Sequence, residues 1–253
     1  MLYAYCMQNR ITQAVIAAGG MGTRLRPTTD TIPKVMIPIL GKPMLEWHVE
    51  QFKKHGVKEF FFTLQYLPDV TTSYFGDGSK WGVKINYFVE KEPLGSAGGI
   101  KAFERQLNDE FFFIYGDTFS LVDYTKMVES WAKKPADALG MQRMKKTQNY
   151  ADADVAELDA DGKYVAIHTK PHSAVYPNAY RMRGVFIMRK EILKYVPENT
   201  KYDLGKKLLP DIVAKNLKFY SYECGDYSKG IDTLEKWKEV EENIKKLQVE
   251  EKA

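Results

Sequence analysis

Cysteine is nearly missing from this chain: its 253 residues include two, Cys6 and Cys224. Two thiols are too few for a disulfide framework and have no metal-ligand spacing, so the chain reads as one that keeps unpaired thiols in a reducing compartment. Histidine is almost as scarce. His48, His55, His168 and His172 form no evident set, and no Ser/His/Asp or Cys/His constellation for nucleophilic catalysis stands out. No apolar run approaches the roughly 20 residues of a membrane span. Residues 1–10 lack the cationic start and apolar centre of a signal peptide, so the expected compartment is the cytoplasm, with no membrane partner. No block of lysine and arginine interleaved with aromatics suggests a nucleic-acid surface. Internal repeats, low-complexity segments and a clear interdomain linker are missing too.

What is present is ordinary in bulk. A hydrophobic share of 44% and a charged share of 28% describe a soluble globular protein, with chain enough for one large α/β domain or two small ones. The net charge of +4 is slight and suits an anionic substrate. Short apolar runs at residues 14–18, 59–64, 84–88, 110–115 and 136–141 read as strands. Helical spacing of apolar residues fills 43–55, 68–75, 96–107 and 124–133. This alternation predicts a mostly parallel sheet with helices on both faces, whose ligands sit at the carboxyl ends of the strands. Beyond about residue 145 the rhythm changes: 152–158 and 163–168 read as a hairpin about an Asp-Gly turn, 183–188 and 217–223 as further strands, and 233–247 as an amphipathic helix. The segment Tyr74 to Gly82 reads as a tight turn with Trp81 packed on the sheet edge.

The densest signal follows the first strand: Gly19-Gly20-Met21-Gly22-Thr23-Arg24-Leu25-Arg26-Pro27-Thr28, then Pro33-Lys34. Glycines let backbone amides crowd an anion, and Arg24 and Lys34 add fixed positive charge, so the loop has the parts of a polyphosphate cradle. It lacks the Gly-Lys-Ser/Thr ending of a Walker P-loop and the third glycine of a dinucleotide fingerprint. The motif resembles that of the sugar-1-phosphate nucleotidyltransferases, which make activated sugars such as GDP-mannose, UDP-glucose or dTDP-glucose.

The resemblance covers most of residues 13–245 and implies a Rossmann-like three-layer α/β/α fold. That fold has a mostly parallel mixed sheet and a small β-rich lid for the acceptor. Residues 1–12 would be an N-terminal extension, 13–145 the nucleotide-binding half and 146–247 the acceptor-binding half; the residues after the last helix are too few for the left-handed β-helix that some members append. Residue by residue, it implies that Ala18, Gly19, Gly20, Gly22 and Thr23 cradle phosphates. Arg24 would face the β/γ-phosphates and leaving pyrophosphate, and Lys34 the α-phosphate. Asp117, ending the apolar run 111–115 after Gly116, would bind Mg²⁺ together with Asp232, although either aspartate could instead start a turn or cap a helix. The segment Glu90 to Gly99 resembles the one that closes over the base, through Gly95 and Ser96. A carboxylate at Glu90 accepts hydrogen bonds only, and guanine offers two adjacent N–H donors, so GTP is favoured over UTP, dTTP or CTP.

On the acceptor side Lys170 of Thr169-Lys170-Pro171 would grip the phosphate, with Gly184 beside the sugar. The usual glutamate before that lysine is Thr169 here, and the usual Asn-Ala-Gly is Met182-Arg183-Gly184. The phosphate grip is kept and the hydroxyl grip altered, which points away from a plain hexose. The implied partners are a nucleoside triphosphate and a sugar 1-phosphate or other phosphate monoester. The reaction would be in-line attack of the acceptor phosphate on the α-phosphorus, with no general base needed and catalysis by positioning and charge neutralisation. A cytidylyltransferase acting on an alcohol phosphate such as phosphocholine, and a regulatory homologue that binds nucleotide without turnover, remain as alternatives. The sequence leaves a homo-oligomer open.

Overall fold

Alternating burial along the first strand sets the architecture. In the computed structural model, which describes residues 11–147, 150–151, 153–172, 174–176 and 178–250, β1 is Gln13–Ala17. Its Ala14 and Ile16 join one apolar cluster while Val15 joins another. The same split recurs on β4 (Glu59–Leu64), where Phe60 and Phe62 face one way and Phe61 the other, and on β6 (Glu110–Tyr115), with Phe112 and Ile114 against Phe111 and Phe113. Strands apolar on both faces must be covered on both faces. One face receives α1 (Met44–Lys54), α2 (Pro68–Phe75) and α4 (Tyr124–Trp131). The other receives α3 (Gly95–Lys101) and α5 (Leu209–Ala214).

Among the described residues the sheet has nine strands. Its parallel part runs β5 (Lys84–Val89), β4, β1, β6, and the antiparallel β11 (Tyr180–Arg189) then follows β6. On the far side of β11 lie β9 (Val155–Leu158) with β10 (Tyr164–His168), and β8 (Gly140–Lys146) with β12 (Phe219–Glu223). Chain order moves outward from β1 to β4 and β5, then returns to β6 on the other side of β1. The carboxyl ends of β1 and β6 therefore flank the switch point of the sheet, where such folds open a crevice. Two small antiparallel ribbons complete the strands: β2 (Pro38–Ile39) with β3 (Lys42–Pro43), and β7 (Thr118–Ser120) with β13 (Ser228–Gly230). The closing helix α6 (Leu234–Glu250) docks through Val240 and Ile244 onto Leu25, Ile37, Met44, Phe119 and Ile231.

Several boundaries differ from the sequence expectation. The strand expected at 136–141 lies at Gly140–Lys146, because the buried positions Gln142 and Arg143 are polar and mask its pattern. The helix expected over 96–107 ends at Lys101 and continues as turns. The strand expected at 183–188 extends to Tyr180–Arg189. The start of the expected hairpin at Asp152, like Cys6 and residues 1–10 of the expected extension, lies outside the described residues. Residues 11 and 12 belong to the fold: Ile11 is buried, and the Thr12 carbonyl accepts from the Lys58 amide at 2.8 Å. Trp81 packs on α2, its ring centroid 4.8 Å from that of Phe75.

Under the switch point sits a buried histidine on α1. His48 Nε2–H donates to the Gly116 carbonyl at 3.2 Å, and burial pulls the imidazole down to about 4, against the opposing effects of that bond and of Asp117. Unfolded histidine takes up its proton near pH 6.5, well before the folded residue does, so stability falls as pH drops through that interval. Urea unfolding is expected to lose about 2 kcal/mol between pH 7 and 5 on this account. The His48→Gln variant should show a correspondingly shallower pH dependence over the same range.

Candidate active site

The loop leaving β1 is held from below rather than from within. Gly22 adopts φ +64°, and a Cβ there would lie 3.0 Å from both the Lys34 Cβ and a Thr29 methyl, so the position needs glycine twice over. The Gly22 carbonyl accepts from the Leu25 amide and the Thr29 hydroxyl, each at 2.8 Å. Among the described residues, the backbone amides of Gly20, Met21 and Thr23 have no hydrogen-bond acceptor. A loop that presents amides outward beside cationic side chains can receive an anion.

Gly116 and Asp117 follow β6 directly. A Cβ on Gly116 would come within 2.7 Å of the Ala17 carbonyl and 2.9 Å of a Val35 methyl, and its amide donates to Ala17 at 2.9 Å. The Asp117 carbonyl accepts from the Ile231 amide at 2.8 Å, next to the antiparallel β7–β13 ribbon. That ribbon carries Asp232 to the same crevice although 115 positions separate the two aspartates in sequence. Asp117 and Asp232 line one cavity of about 640 Å³ together with Arg24, Lys170 and Gly184.

Each carboxylate already has a cationic partner. Lys34 Nζ, nearly buried, lies 2.7 Å from Asp117 Oδ2. Asp232 lies 2.9 Å from Arg24 and 2.7 Å from Lys236. Partial burial alone would raise the Asp232 carboxyl; the Lys236 bond and the charges of Lys236, Arg24 and Lys34 outweigh it and hold the group below the usual carboxylate range. Asp232 is not spent on capping α6, since the Thr233 hydroxyl accepts from the Lys236 amide at 3.4 Å. Nor is the Asp117 side chain spent on a turn.

The expected site residues therefore divide. Arg24, Asp117, Lys170, Gly184 and Asp232 share the cavity, with Lys34 directly behind Asp117. The Ala18–Thr23 loop forms a neighbouring rim: the Ala18 amide donates to Thr63 at 2.9 Å, and Gly19 passes close to Gln65. Glu90, Gly95 and Ser96 are engaged in the chain. Glu90 Oε2 accepts from the Leu94 amide at 3.0 Å, and burial raises its carboxyl despite that bond. Gly95, at φ +70°, passes so close to the Tyr202 carbonyl that a Cβ would lie 2.8 Å from it. Ser96 donates to Asp203 Oδ2 at 3.0 Å and accepts from the Leu204 amide at 2.9 Å.

Sequence reasoning missed Tyr115, Asp203, His48 and Arg143. Tyr115 and Asp203 line the cavity; burial raises the Tyr115 phenol, reinforced by Asp203. Arg143, fully buried, donates to Cys224 Sγ at 3.3 Å and to the Asp226 carbonyl, which anchors the segment leading into β13. Its partners are 81 and 83 residues away, so only the position of Tyr115 directly before Gly116-Asp117 was a local signal.

Comparison with known proteins gives the family. Residues 13–240 match the family model described as nucleotidyl transferase. The chain is 34% identical over 221 residues to a UTP–glucose-1-phosphate uridylyltransferase of Synechocystis, covering 83% of this chain and 57% of that one. It therefore spans little more than half the length of that relative. It is 32% identical over 218 residues to the D-glycero-alpha-D-manno-heptose 1-phosphate guanylyltransferase of Aneurinibacillus thermoaerophilus, covering 85% of this chain and 90% of that one. The crystal structure of HddC from Yersinia pseudotuberculosis complexed with GMP-PN superimposes with a TM-score of 0.75 at 25% identity, over 92% of this chain and all of that one. With the family model matched over residues 13–240 and the Aneurinibacillus relative covered over nearly its whole length, the chain belongs to the nucleotidyl transferase family.

Proposed function

We propose that the protein condenses a nucleoside triphosphate with a sugar 1-phosphate, forming a nucleoside diphosphate sugar and releasing pyrophosphate. The observation that carries this reading is the convergence of Arg24, Lys34, Asp117, Asp232 and Lys170 at the switch point of the sheet. The outward amides of the Gly-rich loop and Arg24 would hold the β- and γ-phosphates, Lys34 the α-phosphate, and Lys170 the acceptor phosphate. A phosphate dianion is itself a nucleophile, so the residues need only align it with the α-phosphorus and neutralise the charge that develops. GTP is the proposed nucleotide, on the hydrogen-bond character of Glu90 and the guanylyltransferases among the similar proteins. Retention of Arg24, Lys34, Asp117 and Asp232 argues for turnover rather than silent binding. A phosphocholine-type cytidylyltransferase has no specific observation in its favour.

Mg²⁺ fits the donor set. Among the described residues no group of three or more His, Cys, Asp and Glu gathers for a metal, so the chain would supply two carboxylates, Asp117 and Asp232. Two carboxylates completed by phosphate oxygens and water are the coordination this hard cation favours. When bound, it would screen the phosphates and polarise the leaving group. No helix among the described residues is long and apolar enough to cross a membrane, and a cytoplasmic setting belongs to the proposal.

Pyrophosphate release with GTP and a panel of sugar 1-phosphates is expected to require Mg²⁺; a panel with no release under any pairing would sink the proposal. Arg24 is largely exposed, so Arg24→Ala should slow release by about 10²-fold with thermal unfolding little changed. Asp232→Asn should weaken apparent Mg²⁺ affinity by about tenfold or more, read from the Mg²⁺ dependence of the same assay.

A further inference from the structure

We infer that Gln142 is a positioning residue for the acceptor, its side chain bracing the bulge of β11 that forms one wall of the cavity. The inference rests on the function proposed above. Met182 pairs with Met144 of β8 and Phe186 with Gln142, so three residues of β11 stand opposite the single Arg143. The ladder to β6 on the other side begins only at Val185, opposite Ile114. β11 therefore drops out of both ladders at Arg183 and Gly184, and both residues line the cavity. Bulges of this kind re-aim a strand beside a site, and the backbone groups they release need other partners.

Gln142 supplies one such partner. Its Nε2 donates to the Arg183 carbonyl at 2.6 Å, and its Oε1 accepts from the Tyr164 hydroxyl of β10, also at 2.6 Å. A carbonyl only accepts, so the amide faces Arg183 in one orientation, and the phenol fixes the same one. Gln142 and Tyr164 are both buried, and polar groups at such depth cost free energy unless they are paired.

The braced segment carries the acceptor wall as one piece. Gly184 packs so closely that a Cβ would lie 2.6 Å from the Thr118 hydroxyl and 3.1 Å from the Tyr115 ring. Just before the bulge, the Met182 amide donates to the Asp154 carbonyl at 3.1 Å, and Asp154 Oδ1 accepts from the Lys170 amide at 3.0 Å. Lys170 and Gly184 are thus tied to one stretch of β11. Both bonds of Gln142 go to β10 and β11 and neither to the Gly-rich loop, so releasing the bulge would loosen the acceptor and leave the nucleotide held.

The test reads pyrophosphate release with GTP and Mg²⁺, taking the best used of glucose 1-phosphate, mannose 1-phosphate and D-glycero-alpha-D-manno-heptose 1-phosphate. Gln142→Leu is expected to raise the acceptor KM about tenfold, as the loss of buried hydrogen bonds implies, with the GTP KM within about twofold. Tyr164→Phe removes only a hydroxyl; it serves where Gln142→Leu fails to fold, and should raise the acceptor KM about threefold. The double variant should be no worse than Gln142→Leu alone, since the phenol acts through the amide. Met141→Ala, one residue earlier in the opposite apolar cluster, should lower the thermal midpoint and leave the acceptor KM unchanged. An acceptor KM unmoved by Gln142→Leu, a GTP KM that rises equally, or a Met141→Ala shift as large overturns the inference. Hydrogen exchange over residues 182–186 needs no substrate: exchange about fivefold faster in Gln142→Leu is expected, and unchanged exchange overturns the inference too. Wild-type protein that binds no GTP in the presence of Mg²⁺ would instead sink the function on which it rests.

Discussion

One dipeptide, Gly116-Asp117, is held from four directions, and the site depends on that restraint. Its amide side is bonded to Ala17 at the end of β1, and its first carbonyl accepts from His48 on α1. The second carbonyl accepts from Ile231, and the Asp117 carboxylate faces Lys34. Each bond comes from a different part of the chain, so moving any one of them displaces the others. Glycine is required because a side chain at 116 would overlap the Ala17 carbonyl, and this closeness lets β1 and β6 end side by side at the crevice. Removing a Cβ here is what permits a carboxylate to stand beside the Gly-rich loop.

Electrostatic balance follows from that packing. Lys34 is buried up to its Nζ, and an isolated ammonium in such a place would be strongly destabilising; Asp117 supplies the compensating charge at 2.7 Å. Asp232 is likewise set among Arg24 and Lys236 and stays ionised. Under the proposed function the cations that stabilise the carboxylates would also face the phosphates, so one arrangement would serve the fold and the ligand. The scaffold beneath is apolar: Leu25, Phe119, Ile231 and Val240 pack behind the charged groups and fix α6 against the loop. Loops bearing the chemistry are thus backed by rigid elements, as preorganised charge stabilisation requires.

The local parts of this arrangement were legible in the sequence. The Gly19–Arg24 turn, Lys34, and the contiguous Gly116-Asp117 each combine an apolar run with a glycine and a charge within a few residues. The strands β1, β4 and β6 could be read from their continuous apolar runs because a sheet covered on both faces asks for nothing else. Legibility failed where a residue's partner is remote. β8 was displaced because Arg143 and Gln142 look like surface residues until Cys224, Asp226 and Tyr164 are brought to them. α3 was overextended because the apolar spacing continues past Lys101, while Gly98 and Gly99 favour close packing over a long helix; a Cβ on Gly98 would lie 3.1 Å from the Thr200 carbonyl. Ser96 engages Asp203, a partner over 100 residues away that no local spacing announces.

By itself, then, the sequence determined the fold class, the Gly-rich loop after β1 and the identity of two aspartates at strand and helix boundaries. These depend on periodicity and short-range backbone geometry, which neighbouring residues encode. Tertiary structure alone decided that Asp117 and Asp232 share one cavity, that His48 braces the turn beneath them, and that Arg181 and Arg183 of β11 line the same cavity. Those facts depend on the β7–β13 pairing and the return of β11 across the sheet. Charge and burial act through space, and no spacing along the chain records which distant side chains will share a low-dielectric crevice.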